Sequence, residues 1–186
     1  KASERDKSYP LIIGAGAAVL NPEPLHEFFD LFVIGEGEEV VLEIVEVYRQ
    51  YQDKFKTGAM RKEELLVIFS HISGVYVPSL YEAKYDANGL VESLTPLFPQ
   101  AKASIRRRIA SSLGAPLVNP IVPFVETVHD RGALEIQRGC SRGCRFCQAS
   151  VIYRPVRERP PEEVVRGVGD IIANCGYNEV SLVSLS

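Results

Sequence analysis

The stretch ALEIQRGCSRGCRFCQ, residues 133–148, joins an alternating segment to a loop with three cysteines in eight positions. Leu134 and Ile136 fall on one side and Glu135 and Gln137 on the other, which predicts a half-buried strand. The loop then reads Cys140-x-x-x-Cys144-x-x-Cys147. Three thiolates so close together, with a fourth cysteine far away, point to a metal site in a reducing compartment rather than a disulfide framework. A closed zinc site needs four tetrahedral ligands. Cys175 lies near the far end of the helix that follows, so one chain cannot bring it back to the loop, and it is expected to be a small buried apolar residue. A four-iron cubane takes one outer ligand per iron, so three cysteines leave one iron open, as a catalytic site requires. Gly139 and Gly143 let the backbone wrap a bulky inorganic core, and Arg138, Arg142 and Arg145 offset thiolate charge.

Downstream, PPEEVVRGVGDIIANCG predicts a helix. Pro160 and Pro161 stand at its start, Glu162 and Glu163 in its first turn, and Gly176 past its end. NEVSLVSLS predicts a second strand. Strand, loop, helix and strand make one βαβ unit, with the cysteines after the C-terminal end of its first strand, where α/β active sites gather.

Upstream, YPLIIGAGAAVL, residues 9–20, predicts a buried strand running into a glycine turn. Gly14 and Gly16 are weighed as a dinucleotide fingerprint and set aside, because Val19 stands at its third position and Pro22 and Pro24 follow. Pro24 opens a short helix with Leu25, Phe28 and Phe29 on its apolar side. LFVIG, residues 31–35, is a second buried strand, followed by a helix with Val41, Ile44, Val45 and Tyr48 inward and Glu36, Glu38 and Glu39 at its positive end. A short helix ending near Gly74 and a strand at GVYVP come next. LYEAKY-DANG-LVESLTP predicts a β-hairpin, with Asn88 and Gly89 at positive φ. Five prolines mark a linker that contains one basic helical piece, ASIRRRIASSL, whose Arg106–Arg108 form a solvated face.

The chain has 186 residues, 46% of them hydrophobic, so a real core is expected. The net charge of −3 gives no overall nucleic-acid signature. Yet residues 1–130 carry −5 and residues 131–166 carry +4, so the positive charge surrounds the cysteines. The longest apolar run, Leu11 to Leu20, contains two glycines and is too short to span a bilayer, so no membrane partner is expected.

Cys140, Cys144, Phe146 and Cys147 match Cys-x-x-x-Cys-x-aromatic-Cys, and with this motif the sequence resembles the radical S-adenosylmethionine (radical SAM) superfamily. NPEPLHEFFDLFVIGEGEE and the stretch from PFVETVHDRG through RPVRERPPEE resemble the subgroup with an N-terminal cobalamin-binding-type domain. The tRNA methylthiotransferases share a similar arginine-rich stretch after the cysteines. The fold this implies is α/β. Residues 1–55 would end a cobalamin-binding-like open sheet, residues 56–130 would be a linker with the β-hairpin, and residues 131–186 would begin a (β/α) barrel.

The resemblance implies a cytoplasmic enzyme in which Cys140, Cys144 and Cys147 hold a 4Fe-4S cluster and S-adenosylmethionine chelates the open iron. A 5′-deoxyadenosyl radical would then abstract hydrogen from a C–H bond, in the service of methyl or methylthio transfer. Phe146 would lie beside the adenine, and Ser184 and Ser186 near the methionine amino group. Cobalamin is a further implied cofactor, a flavodoxin or ferredoxin the electron donor, and RNA a candidate substrate for Arg154, Arg157, Arg159 and Arg166. No other catalytic residue is assigned. His129 matches only half of a cobalt-ligating motif and is read as structural. The chain is expected to be part of a longer enzyme, inactive alone. Two other classes stay open: an iron–sulfur electron-transfer module and a zinc-binding domain that recruits nucleic acid.

Overall fold

The computed structural model describes residues 1–125 and 128–185, in two compact units, Lys1–Ala110 and Ser111–Ser186. Among the described residues no helix is long and apolar enough to cross a membrane.

The first unit is built on a three-stranded sheet. Strand β1 (Ile13–Gly14) pairs in parallel with β2 (Leu31–Val33), and β2 pairs antiparallel with β3 (Val75–Tyr76). All three residues of β2 are buried, which explains its unbroken apolar run. Helices α1 (Val40–Thr57) and α2 (Lys62–Ser70) supply Val40, Ile44, Phe55, Leu65, Leu66 and Phe69 to one core with Leu31, Val33, Val75 and Val77. A second cluster gathers Val19, Phe32, Ile34 and Tyr76, with the Phe32 ring 4.9 Å from Phe29 and 6.3 Å from Tyr76. Residues beyond position 55 share this first core, because α2, β3, Leu80 and Ala101 all contribute to it. The hairpin forms as expected, from β4 (Tyr81–Tyr85) and β5 (Val91–Pro96).

Several local expectations are corrected. The strand expected over residues 9–20 shrinks to Ile13–Gly14, Ile13 is exposed, and a short 3-10 turn follows at Ala17–Leu20. Gly14 lies against the Phe32 ring, where a Cβ would come within 2.4 Å, so close packing explains this glycine. Leu25 and Phe28 are exposed beside a single 3-10 turn, Glu23–Leu25. Helix α1 turns Val40 and Ile44 inward with Val47, Tyr48 and Tyr51 against the core, and leaves Val41 and Val45 outside. In the hairpin turn only Gly89 takes positive φ. The turn is organised by Asp86, whose Oδ1 accepts the amides of Asn88 and Leu90 at 2.9 and 2.8 Å.

The basic piece at 103–113 is not helical. Its Arg108 adds to the sheet edge, donating its amide to the Ile34 carbonyl at 2.8 Å and accepting that of Glu36 at 3.0 Å. The Arg108 guanidinium donates to Glu39 at 2.9 Å and to Glu43, so it anchors the start of α1 rather than facing solvent. These carboxylates, Glu39 first, hold its pKa above the ordinary value.

The charges of the N-terminal segment converge on Asp30, whose side chain is fully buried. It accepts the Ile12 amide at 2.7 Å and Arg5 at 2.9 Å, and pairs with Lys62 at 2.6 Å. Burial alone would raise the Asp30 carboxyl; the Ile12 amide, Lys62 and Arg5 outweigh it and hold it below the usual carboxylate range.

The second unit contains the expected βαβ unit. Strands β6 (Gly132–Glu135) and β9 (Val180–Val183) pair in parallel, Leu134 opposite Leu182, and α4 (Pro161–Cys175) connects them. The helix packs Ile171 and Gly167 against β6, and Leu134 and Ile171 are buried. An unexpected element closes the cysteine segment: β7 (Gln137–Arg138) pairs antiparallel with β8 (Arg157–Glu158).

Candidate metal centre

The cysteine loop leaves the sheet at the C-terminal end of β6 and returns at β8, so one two-residue ladder pins both of its ends. Gly139 opens it with φ at +91°, and Gly143 turns it again with φ at +66°. A Cβ on Gly139 would come within 2.5 Å of the Tyr153 carbonyl oxygen and 2.7 Å of that of Pro155. Only glycine therefore lets the outgoing chain pass its own returning backbone.

Cys140 is 6% exposed, and its Sγ accepts the amide of Arg142 at 3.5 Å. Cys144 is exposed, and its carbonyl accepts the Cys147 amide at 3.0 Å. Cys147 is half-buried, and its carbonyl accepts the Ser150 hydroxyl at 3.1 Å at the start of the short helix α3 (Ala149–Ile152). All three are free thiols. Among the described residues no group of three or more His, Cys, Asp or Glu is arranged to hold a single metal ion.

The donor set has the chemistry of an iron–sulfur core. It is all sulfur and confined to one loop, with one backbone amide already directed at a sulfur. Hydrogen bonds to the sulfurs also tune the potential of such a core.

The neighbouring residues sort clearly. Phe146 stands 92% exposed at the crest of the loop. The Ser184 hydroxyl donates to the Gln137 side-chain oxygen at 2.7 Å, which places the end of β9 beside the root of the loop. Ser186 lies outside the described residues. Arg138 is held by Glu135 through two bonds of 2.8 Å, so it is already neutralised, while Arg142 and Arg145 are exposed. Arg159, expected among the arginines facing an anion, is instead internal. It bonds to the Glu135 carbonyl at 2.7 Å, the Gly114 carbonyl at 2.6 Å, the Leu113 carbonyl at 3.1 Å and Glu163 at 2.8 Å. Cys175 is half-buried rather than buried, and its thiol donates to the Val118 carbonyl at 3.8 Å. His129 accepts the Arg131 guanidinium at 3.1 Å. The 137–138/157–158 ladder and the inward Arg159 went unread, because a two-residue strand carries no alternation and an arginine run reads as solvated surface.

Two family models match the chain. One, described as "Radical SAM proteins, N-terminal", covers residues 1–78; the other, "Radical SAM superfamily", covers residues 134–185 and takes in the whole cysteine loop. An uncharacterized protein of Methanocaldococcus jannaschii is 25% identical over 186 residues, 95% of this chain and 32% of that protein. The chain thus spans about a third of the length of the curated relative it matches. No solved structure matches.

Proposed function

We propose that this chain is the part of a radical SAM enzyme that binds a 4Fe-4S cluster and S-adenosylmethionine. Radical SAM N-terminal and core regions are both found in it, one on each side of the hairpin segment. The observation that carries the reading is three free cysteines on one loop, rooted at the C-terminal end of a parallel strand and pinned at both ends. Cys140, Cys144 and Cys147 would hold three irons of the cluster. When bound, the cluster supplies the electron that cleaves S-adenosylmethionine to a 5′-deoxyadenosyl radical, and C–H abstraction follows.

The residues of the chain do the holding. The Arg142 amide stabilises the Cys140 thiolate, and the burial of Cys140 keeps water from one side of the core. Phe146 offers an exposed ring on which a nucleobase stacks. Ser184, fixed by Gln137 beside the loop root, is the described residue we assign to the amino-acid end of S-adenosylmethionine. Residues 1–55 would end a cobalamin-binding-like domain, residues 56–130 with the hairpin would link it to the barrel, and the protein would be cytoplasmic with a flavodoxin or ferredoxin as reductant. Methyl or methylthio transfer is the net reaction we assign to it.

Anaerobic reconstitution of the intact protein tests this. The expected result is a brown protein with about four irons per chain, whose spectrum changes when S-adenosylmethionine is added. Changing Cys140, Cys144 or Cys147 to Ala should abolish the spectrum, while Cys175→Ala should leave it intact. Zinc as the sole bound metal would establish the interaction-domain reading instead. A cluster blind to S-adenosylmethionine would establish electron transfer.

A further inference from the structure

We infer that Arg159 is the positioning residue of the cysteine loop, a role that rests on the proposed cluster site and adds to it a residue outside the cysteine motif. Its side chain is 5% exposed, far too enclosed to meet a soluble anion. One guanidinium reaches three parts of the second unit at once. Nε donates to the Glu135 carbonyl, the last of β6. Nη1 donates to the Gly114 carbonyl and to Glu163 in the first turn of α4, and Nη2 to the Leu113 carbonyl. Its own backbone amide donates to the Ile136 carbonyl at 2.9 Å, directly after the 137–138/157–158 ladder.

Two of the carbonyls that Arg159 holds, Glu135 through its side chain and Ile136 through its amide, therefore lie just before the chain turns into Gly139 and Cys140, and the guanidinium ties them to the Leu113–Gly114 segment. A planar cation with five donors is the one side chain able to bond several fixed carbonyls and a carboxylate together; an ammonium has three donors and no plane. Charge balance is local, because Glu163 answers Arg159 and Glu135 answers Arg138. With the neck fixed, Cys140 keeps its buried position. Without the guanidinium, the β7–β8 ladder is extended only by the Arg159 amide bond to Ile136, a short span of backbone pairing for the neck of a loop.

The test uses Arg159→Met, Arg159→Lys and, as an exposed control on α4, Arg166→Lys, all in the intact protein. The first readout needs no metal: residue-resolved alkylation of the apo-protein by N-ethylmaleimide, followed by mass spectrometry. Arg159→Met should speed alkylation of Cys140 about tenfold through local opening, leave Cys175 at the wild-type rate, and Arg159→Lys should fall between. The second readout is the electron paramagnetic resonance spectrum of the reduced cluster and its loss to a chelator. The Met variant should broaden the spectrum and lose iron faster, and Arg166→Lys should match wild type. An unchanged Cys140 rate in Arg159→Met overturns the assignment. So does equal acceleration at Cys140 and Cys175, which would show Arg159 supporting the whole unit. A wild-type protein that takes up no iron would sink the cluster reading, while the alkylation rates would still decide the role of Arg159.

Discussion

The two units solve opposite problems. Unit 1 surrounds β2 on every side, so Leu31, Phe32 and Val33 are essentially inaccessible and two helices close the layer above them. Unit 2 buries Leu134 and Ile171 where α4 meets β6, yet leaves Leu182 and Val183 of β9, and Leu185 beyond it, exposed. One unit holds its shape by apolar burial. The other holds its functional loop by polar ties: a short ladder, a multiply bonded arginine and a glycine that permits a tight pass. Stability and site geometry are thus carried by different regions and by different forces.

That contrast predicts a graded set of outcomes. The largest is Phe32→Ala, which removes a fully buried ring packed on Phe29 and Tyr76 and should cost about 3–5 kcal/mol in chemical denaturation. If it costs much less, unit 1 is not held by its core. Next is Gly139→Ala in unit 2. Positive φ and the carbonyls of Tyr153 and Pro155 make this methyl a strain of about 1–3 kcal/mol. Iron retained after reconstitution should fall severalfold while the folding of unit 1 is unchanged.

A smaller effect should follow pH. The Asp30 carboxyl is held below its unfolded value of about 3.9, so its contribution is complete above that pH and is lost as pH falls through the lower folded value. The denaturation midpoint of unit 1 should drop on acidification below about pH 4, and Asp30→Asn should flatten that portion of the curve. The smallest effect is Leu182→Ser on the open strand β9, within about 0.5 kcal/mol in the same measurement. A larger loss would mean that β9 is covered in the intact protein.

The legible parts of the chain were those where several local signals agreed. For α4, the prolines, the first-turn glutamates, the apolar spacing and Gly176 coincide, and the helix runs over Pro161–Cys175. The cysteine spacing marked the loop, and both flanking strands follow in parallel as read. Signals failed where tertiary contacts overrode local preference. ASIRRRIASSL has good helix formers, yet the Arg108 backbone is drawn to the Ile34–Glu36 edge and its side chain to α1. In α1, Val40 and Val41 are adjacent, so two faces fit the same pattern; only the further positions down to Phe55 pick the inner one. Asp30 escaped notice because its cations, Arg5 and Lys62, are remote in sequence and on opposite sides of it.

The drawstring at Gln137–Arg138 and Arg157–Glu158 also bears on assembly order. Its two halves are separated only by residues 139–156, so closing the ring costs a modest loop-closure entropy. The ring can therefore close through local contacts alone, without waiting for the longer-range pairing of β6 with β9.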